Sequence, residues 1–136
     1  MKKIFIFVFL ILFVTKAFSQ LDSIISYCNQ YIQYPYISDG QQYRAILTSG
    51  QTAEFNVTFY GNATYRIVVA SEPKDGSVIF RLYDKNKNEL FSNLNFNNST
   101  YWDFKFESTV NCSIEAELPE SKTSGFVLMY IAFKGE

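Results

Sequence analysis

The chain has 136 residues, 12 basic against 13 acidic side chains, 48% hydrophobic residues and no histidine. That length bounds it to one domain, near the usual size of about 100–150 residues, and the balanced charge leaves no basic footprint for nucleic acid. The missing imidazole excludes the Ser-His-Asp arrangement, the common zinc sites and the usual general base.

Met1-Lys2-Lys3 is a short basic start, and Ile4 to Val14 is an unbroken apolar run. Ala17-Phe18-Ser19 then sets small residues at the −3 and −1 positions of a signal-peptidase site. These three parts predict a secretory signal over 1–19, so the protein is expected to be secreted or periplasmic. The apolar run is too short for an anchor, because a helix needs roughly 20 apolar residues to cross a bilayer. Cleavage leaves a single domain, 20–136, without a transmembrane segment. It also removes Lys2, Lys3 and Lys16, taking the net charge from −1 to −4.

Leu21, Ile24, Ile25, Cys28 and Ile32 recur at helical spacing and predict one amphipathic helix over about 21–33. Asp22 or Ser23 supplies an N-cap oxygen, and Pro35 forces an end. So short a helix is marginal alone in water, and its stripe is expected to dock on a sheet.

From Tyr43 the period switches to two, and strands fill about 43–134. Tyr43 to Leu47 is a short strand. Ala53, Phe55, Val57 and Phe59 alternate with polar residues, as in a half-buried strand. Tyr60-Gly61-Asn62 is a turn, Thr64 to Ala70 a strand, and Pro73-Lys74-Asp75-Gly76 a second turn. Val78 to Tyr83 and Glu89 to Phe91 follow, then a loop from Asn93 to Thr100. Trp102, Phe104 and Phe106 alternate, as do Cys112, Ile114, Ala116 and Leu118. Phe126 to Phe133 is nearly all apolar and reads as a central strand covered on both faces. About eight strands with regular turns predict an all-β fold, an antiparallel β-sandwich or jelly roll with the one N-terminal helix docked on it.

Export places Cys28 and Cys112 where disulfides persist. A bond between them is expected to staple helix to sheet; two buried thiols are the alternative. Without a histidine partner neither reads as a nucleophile.

Carboxylate pairs remain as a route to hydrolysis. Glu115 and Glu117 share the outward face of one strand, with Asp103 and Glu107 on a neighbouring segment, and all four read as a solvated face. Asp84-x-Asn86-x-Asn88 begins like a calcium loop, but Glu89 and Asn95 stand where that loop needs Gly and Glu. The stretch reads as a polar hairpin turn, and no metal or cofactor is expected. Tyr27, Tyr31, Tyr34 and Tyr36 cluster near the end of the helix. They either cover the edge between helix and sandwich or present rigid rings to a glycan or protein.

Ser49-Gly50-Gln51-Thr52-Ala53-Glu54-Phe55, Phe80-Arg81-Leu82-Tyr83-Asp84 and the strand from Cys112 to Leu118 resemble small secreted jelly-roll domains. Together with the opening from Tyr36 to Leu47, they are similar to the bacterial pre-peptidase C-terminal domain and, more distantly, to the GOLD (Golgi dynamics) domain, over about Tyr36 to Lys134. That resemblance implies a non-catalytic accessory or interaction module and carries no functional residues. The expected function is therefore an exported, non-enzymatic binding module for a glycan, a surface polymer or a protein. A self-assembling envelope component is the alternative, and a carboxylate-dependent hydrolase stands behind both.

Overall fold

A computed structural model describes residues 21–72, 78–121 and 123–135. The predicted signal segment, 1–19, and the Pro73–Gly76 turn lie outside them. Among the described residues the chain is helical over 21–29 (α1) and then forms nine strands. These are β1 Ile37–Ser38, β2 Tyr43–Thr48, β3 Thr52–Phe59, β4 Ala63–Glu72, β5 Ile79–Asp84, β6 Glu89–Ser92, β7 Tyr101–Phe106, β8 Val110–Glu117 and β9 Ser124–Gly135. Every described pairing is antiparallel.

One sheet runs β2-β9-β4-β7, with β1 continuing the β2 edge of β9; the other runs β3-β8-β5-β6. Strands close in sequence therefore lie in opposite sheets, except at the β1–β2 and β5–β6 connections. This is the strand order of a jelly roll. The inward residues of both sheets build one core, with Phe59, Phe80, Leu82 and Ile114 of the second sheet facing Ile67, Val127, Met129 and Ile131 of the first. β9 is the central strand its composition predicts. Its alternate residues Leu128 and Tyr130 point the other way and pack, with Val68 and Ala70, under Ile24 and Cys28 of α1.

The helix stops sooner than its stripe predicts. The amide of Tyr31 donates to the carbonyl of Cys28 and that of Ile32 to Asn29, so the last turn tightens three residues back. A turn closed by the Tyr36 amide on the Gln33 carbonyl, with a cis Tyr34–Pro35 bond, then leads into β1. That two-residue strand has no periodic signal of its own. The predicted loop after β6 contains a single 3-10 turn, Asn93–Phe96.

The cysteines do not form the expected disulfide; both thiols are free and buried. Cys28 packs between α1 and the outer face of the first sheet, whereas Cys112 faces the core between the sheets. The first sheet stands between them. Packed layers lie about 10 Å apart, beyond the Cα separation of about 4.4–6.8 Å that a disulfide spans. Helical spacing and strand alternation each place a cysteine on an apolar face, but neither says that those faces belong to different layers. Burial pushes the Cys28 thiol up to about 12, so it stays protonated. A reductant is expected to leave the thermal melt unchanged, where loss of a native disulfide typically costs about 2–5 kcal/mol.

Candidate functional site

The β2–β3 connection opens a cleft between the two sheets. β2 and β3 meet in a tight turn, with the Gln51 amide donating to the Thr48 carbonyl and Gly50 at φ +82°, a left-handed conformation that favours glycine. The two strands nonetheless belong to different sheets. They must therefore diverge from the turn like the arms of a V. Between the arms, Tyr43 at the start of β2 packs on Phe55 of β3, ring edge to ring face at 5.5 Å between centroids. Beyond Tyr43 the gap opens into a cleft of about 510 Å³ between the sheets.

Val57, Tyr65 and Ile131 form the apolar floor, with Tyr65 and Ile131 buried. Tyr43, Tyr60 and Phe133 form aromatic walls, and Tyr60 is 63% and Phe133 37% exposed. Phe133 continues the inward alternation of β9, so its exposure follows from the missing material opposite it. Asp39, Gln41, Asn56 and Thr58 stand at the rim.

Several contacts hold the walls in place. The Tyr65 hydroxyl accepts from the Tyr60 amide at 2.9 Å. The Tyr43 hydroxyl donates to Asp39 at 3.1 Å, and the other oxygen of Asp39 accepts from the Gln41 amide at 2.9 Å. Burial, followed by the nearby Asp39 carboxylate, pushes the Tyr43 hydroxyl up to about 12, so it remains a neutral donor. Gly61 fixes the far end of β3: a Cβ there would meet the Glu107 carbonyl at 2.8 Å, too close for any side chain.

The tyrosines singled out from sequence are brought together in part, on the outer face of the first sheet. Tyr27 and Tyr31 are 5.6 Å apart, and Tyr31 lies 5.1 Å from Tyr101. Arg66 sits between Tyr36 and Tyr101, its guanidinium 4.1 and 4.6 Å from the ring centres. It makes a two-pronged ion pair with Asp103 at 2.7 and 2.9 Å. Arg66 also donates to the Tyr31 carbonyl, and the Tyr36 hydroxyl donates to Asp103 at 2.9 Å. Their rings and hydroxyls thus lash the segment after α1 to β4 and β7. Tyr34 stands apart, 97% exposed.

Burial works against the charge of Asp103, but the hydrogen bonds from Arg66 and Tyr36 outweigh it and hold its carboxyl below the ordinary range. A carboxylate depressed in the folded state adds stability above its unfolded value, near 3.9, and loses it as pH falls through the folded value. Asp103→Asn is therefore expected to melt lower than the parent at neutral pH. The two are expected to converge in acid as pH falls through the folded-state value, as read by circular dichroism melts across pH.

The acidic residues do not converge. Glu115 and Glu117 lie on the outer face of the second sheet, whereas Asp103 lies on the outer face of the first, across the whole sandwich from them. The expected neighbourhood of the two groups is thereby corrected: β7 and β8 follow one another in sequence but belong to different sheets. Glu117 pairs with Arg81 at 2.8 Å and Glu54 with Lys87 at 3.1 Å.

Asp84 is consumed by its own turn. One oxygen accepts from the amides of Asn86 and Asn88, the other from the Asn88 side chain, all within 2.9 Å. That is the local capping that makes Asp a turn residue, and it lowers the Asp84 carboxyl, with the Asn88 side chain as the first cause. Lys87, at φ +63°, closes the turn. Among the described residues no three His, Cys, Asp or Glu side chains form a metal-binding group. A polar groove of about 460 Å³ runs past this turn along the outer face of the second sheet.

Fold and cleft define the chain as an all-β jelly-roll sandwich with an open aromatic seam. No protein-family model matches it, and no curated protein matches it in sequence. Among solved structures it is similar to PliG of Aeromonas hydrophila, a periplasmic lysozyme inhibitor of g-type lysozyme. That match has a TM-score of 0.55 at 8% identity and covers 69% of this chain and 85% of that one. It shows a shared fold. The pre-peptidase and GOLD resemblance finds no support in a family model, although the sandwich it implied is present.

Proposed function

We propose that this chain is an exported, non-catalytic binding protein whose cleft, at the mouth of the β2–β3 V, receives a side chain of a protein partner. The cleft carries the proposal. Binding sites are concave, apolar and aromatic, with a few polar groups that fix orientation, and the Tyr43–Tyr60–Phe133 walls with the Gln41 and Asn56 carboxamides at the rim have that composition. Tyrosine walls supply rigid contact area at low entropy cost. Export rests on the basic start, apolar run and Ala17-Phe18-Ser19 of the leader. The fold shared with a periplasmic inhibitor supports a protein as the partner and makes g-type lysozyme the first candidate.

A saccharide is the competing ligand, because sugar rings also stack on tyrosine. Thermal melts with g-type lysozyme and with a panel of soluble glycans separate the two. A ligand at a hundredfold excess over its dissociation constant adds about 2.7 kcal/mol. The expected result is a shift with a protein and none with glycans, weakened at least about tenfold in affinity, or about 1.4 kcal/mol, by Tyr60→Ala. A glycan shift lost in Tyr60→Ala would keep the cleft and replace the partner. Shifts indifferent to Tyr60→Ala and Phe133→Ala would remove the cleft as the site.

A further inference from the structure

We infer that the free edge of β3 adds an extended, basic strand of the partner, and that an inward side chain of that strand is what enters the cleft. The inference rests on the reading of the cleft as a protein-binding site and says how the partner reaches it.

β3 is an edge strand: it pairs with β8 on one side, and among the described residues no strand pairs with the other. Such an edge offers a row of unpaired amides and carbonyls, and proteins ordinarily guard it with charge, proline, brevity or a bulge. The other edges are guarded. β7 carries Asp103 and Lys105 along its six residues. β6 has four residues and a register shift beside it. β1 has two residues, and Arg44 sits in β2. β3 has eight residues in unbroken register with β8, without proline or lysine. Its one charge, Glu54, reaches across β8 to Lys87 in the β5–β6 turn, away from the free side.

The complement of an unpaired main-chain ladder is another extended chain. Asn56, Val57 and Thr58 of this edge line the cleft, so a strand added there sets every second side chain toward the seam. Main-chain bonds supply affinity in that mode and the pocket supplies specificity. Charge selects the partner. The outer face of this sheet carries Glu54, Glu89, Glu115 and Glu117 against Arg81 and Lys87, an excess of acid even after the Glu54–Lys87 and Glu117–Arg81 pairs, and Glu54 and Glu115 stand opposite one another. The solvent-side residues of an incoming strand are therefore expected to be Lys or Arg. A second copy of the chain does not meet this requirement, because its β3 presents Thr52, Glu54, Asn56 and Thr58 on that face.

The test is selection of a phage-displayed library of short random peptides on the purified protein, followed by N-methylation of each backbone amide of the best peptide in turn. The expected peptides alternate basic with apolar or aromatic residues. Methylation at alternate positions is expected to weaken binding at least about tenfold, with the intervening positions indifferent. Asn56→Lys, which places a cation on the free edge, is expected to weaken it equally while leaving the thermal melt of the free protein in place. Peptides indifferent to N-methylation but lost with Tyr60→Ala would overturn strand addition and leave the cleft as the site. Concentration-dependent dimerisation abolished by Asn56→Lys would overturn it in favour of a second copy. No peptide enrichment alongside a glycan-induced melt shift would overturn it while leaving the cleft occupied by another class of ligand.

Discussion

Asn93→Ala is expected to lower stability by about 3–4 kcal/mol, since each buried partner left unsatisfied costs about 1–3 kcal/mol. Asn93 is fully buried, and its side chain makes three bonds that replace missing ladder contacts. Its oxygen accepts from the Phe80 amide at 2.9 Å, and its nitrogen donates to the carbonyls of Val78 at 2.9 Å and Ser99 at 3.1 Å. Its own carbonyl accepts from Asn98. One side chain thus ties the loop after β6 to the start of β5. Asn93→Asp keeps an acceptor for Phe80 but sets a carboxylate against two carbonyls, so it is expected to be no milder. Urea unfolding reads the effect as a lower midpoint at an unchanged slope. A loss under about 1 kcal/mol would mean that these bonds are replaceable by water.

Phe59→Ala is expected to cost about 3–5 kcal/mol, the range for truncating a buried aromatic ring. Phe59 is wholly buried at the end of β3, stacked on Phe106 at 5.0 Å and edge to face with Tyr65 at 4.9 Å. Those contacts join the two sheets directly behind the cleft. Truncation removes the support of Tyr65, which forms the cleft floor and bonds the Tyr60 amide. Ligand affinity is therefore expected to fall along with the urea midpoint. Phe59→Leu, which retains most of the volume, is expected to recover most of both losses.

The fold was largely legible because period-two alternation is a direct imprint of a half-buried sheet. Ala53, Phe55, Val57 and Phe59 point inward as their spacing predicts, and the apolar run of β9 is covered on both faces. The docking of Ile24 and Cys28 follows from the helical stripe in the same way. Alternation gives the face of a residue within its own sheet and says nothing about which sheet that is. For that reason the Cys28–Cys112 bond and the Asp103–Glu115 neighbourhood were expected and are absent: each pair is divided by a layer.

The cleft was illegible for the same reason. Tyr43 and Phe133 lie 90 positions apart in sequence, and they face one gap only because β2 and β3 separate into different sheets. Tyr60 belongs by sequence to a turn signal; in the fold it flanks that turn and stands exposed on the cleft wall. The tyrosine group near α1 was visible as a cluster in sequence, but its partners Arg66, Tyr101 and Asp103 come from distant strands. Those partners turn most of the cluster toward the protein itself.

The most direct test of the cleft as the binding site needs no knowledge of the partner. The isotope-labelled protein is titrated with p-cresol, the side chain of tyrosine as a free molecule, and its amide resonances are followed. Shifts concentrated at residues 39–43, 56–60 and 131–133 are expected, and they are expected to disappear in Phe133→Ala. Shifts centred instead on Tyr27, Tyr31 and Tyr101, or spread evenly over both outer sheet faces, would contradict the cleft as the site.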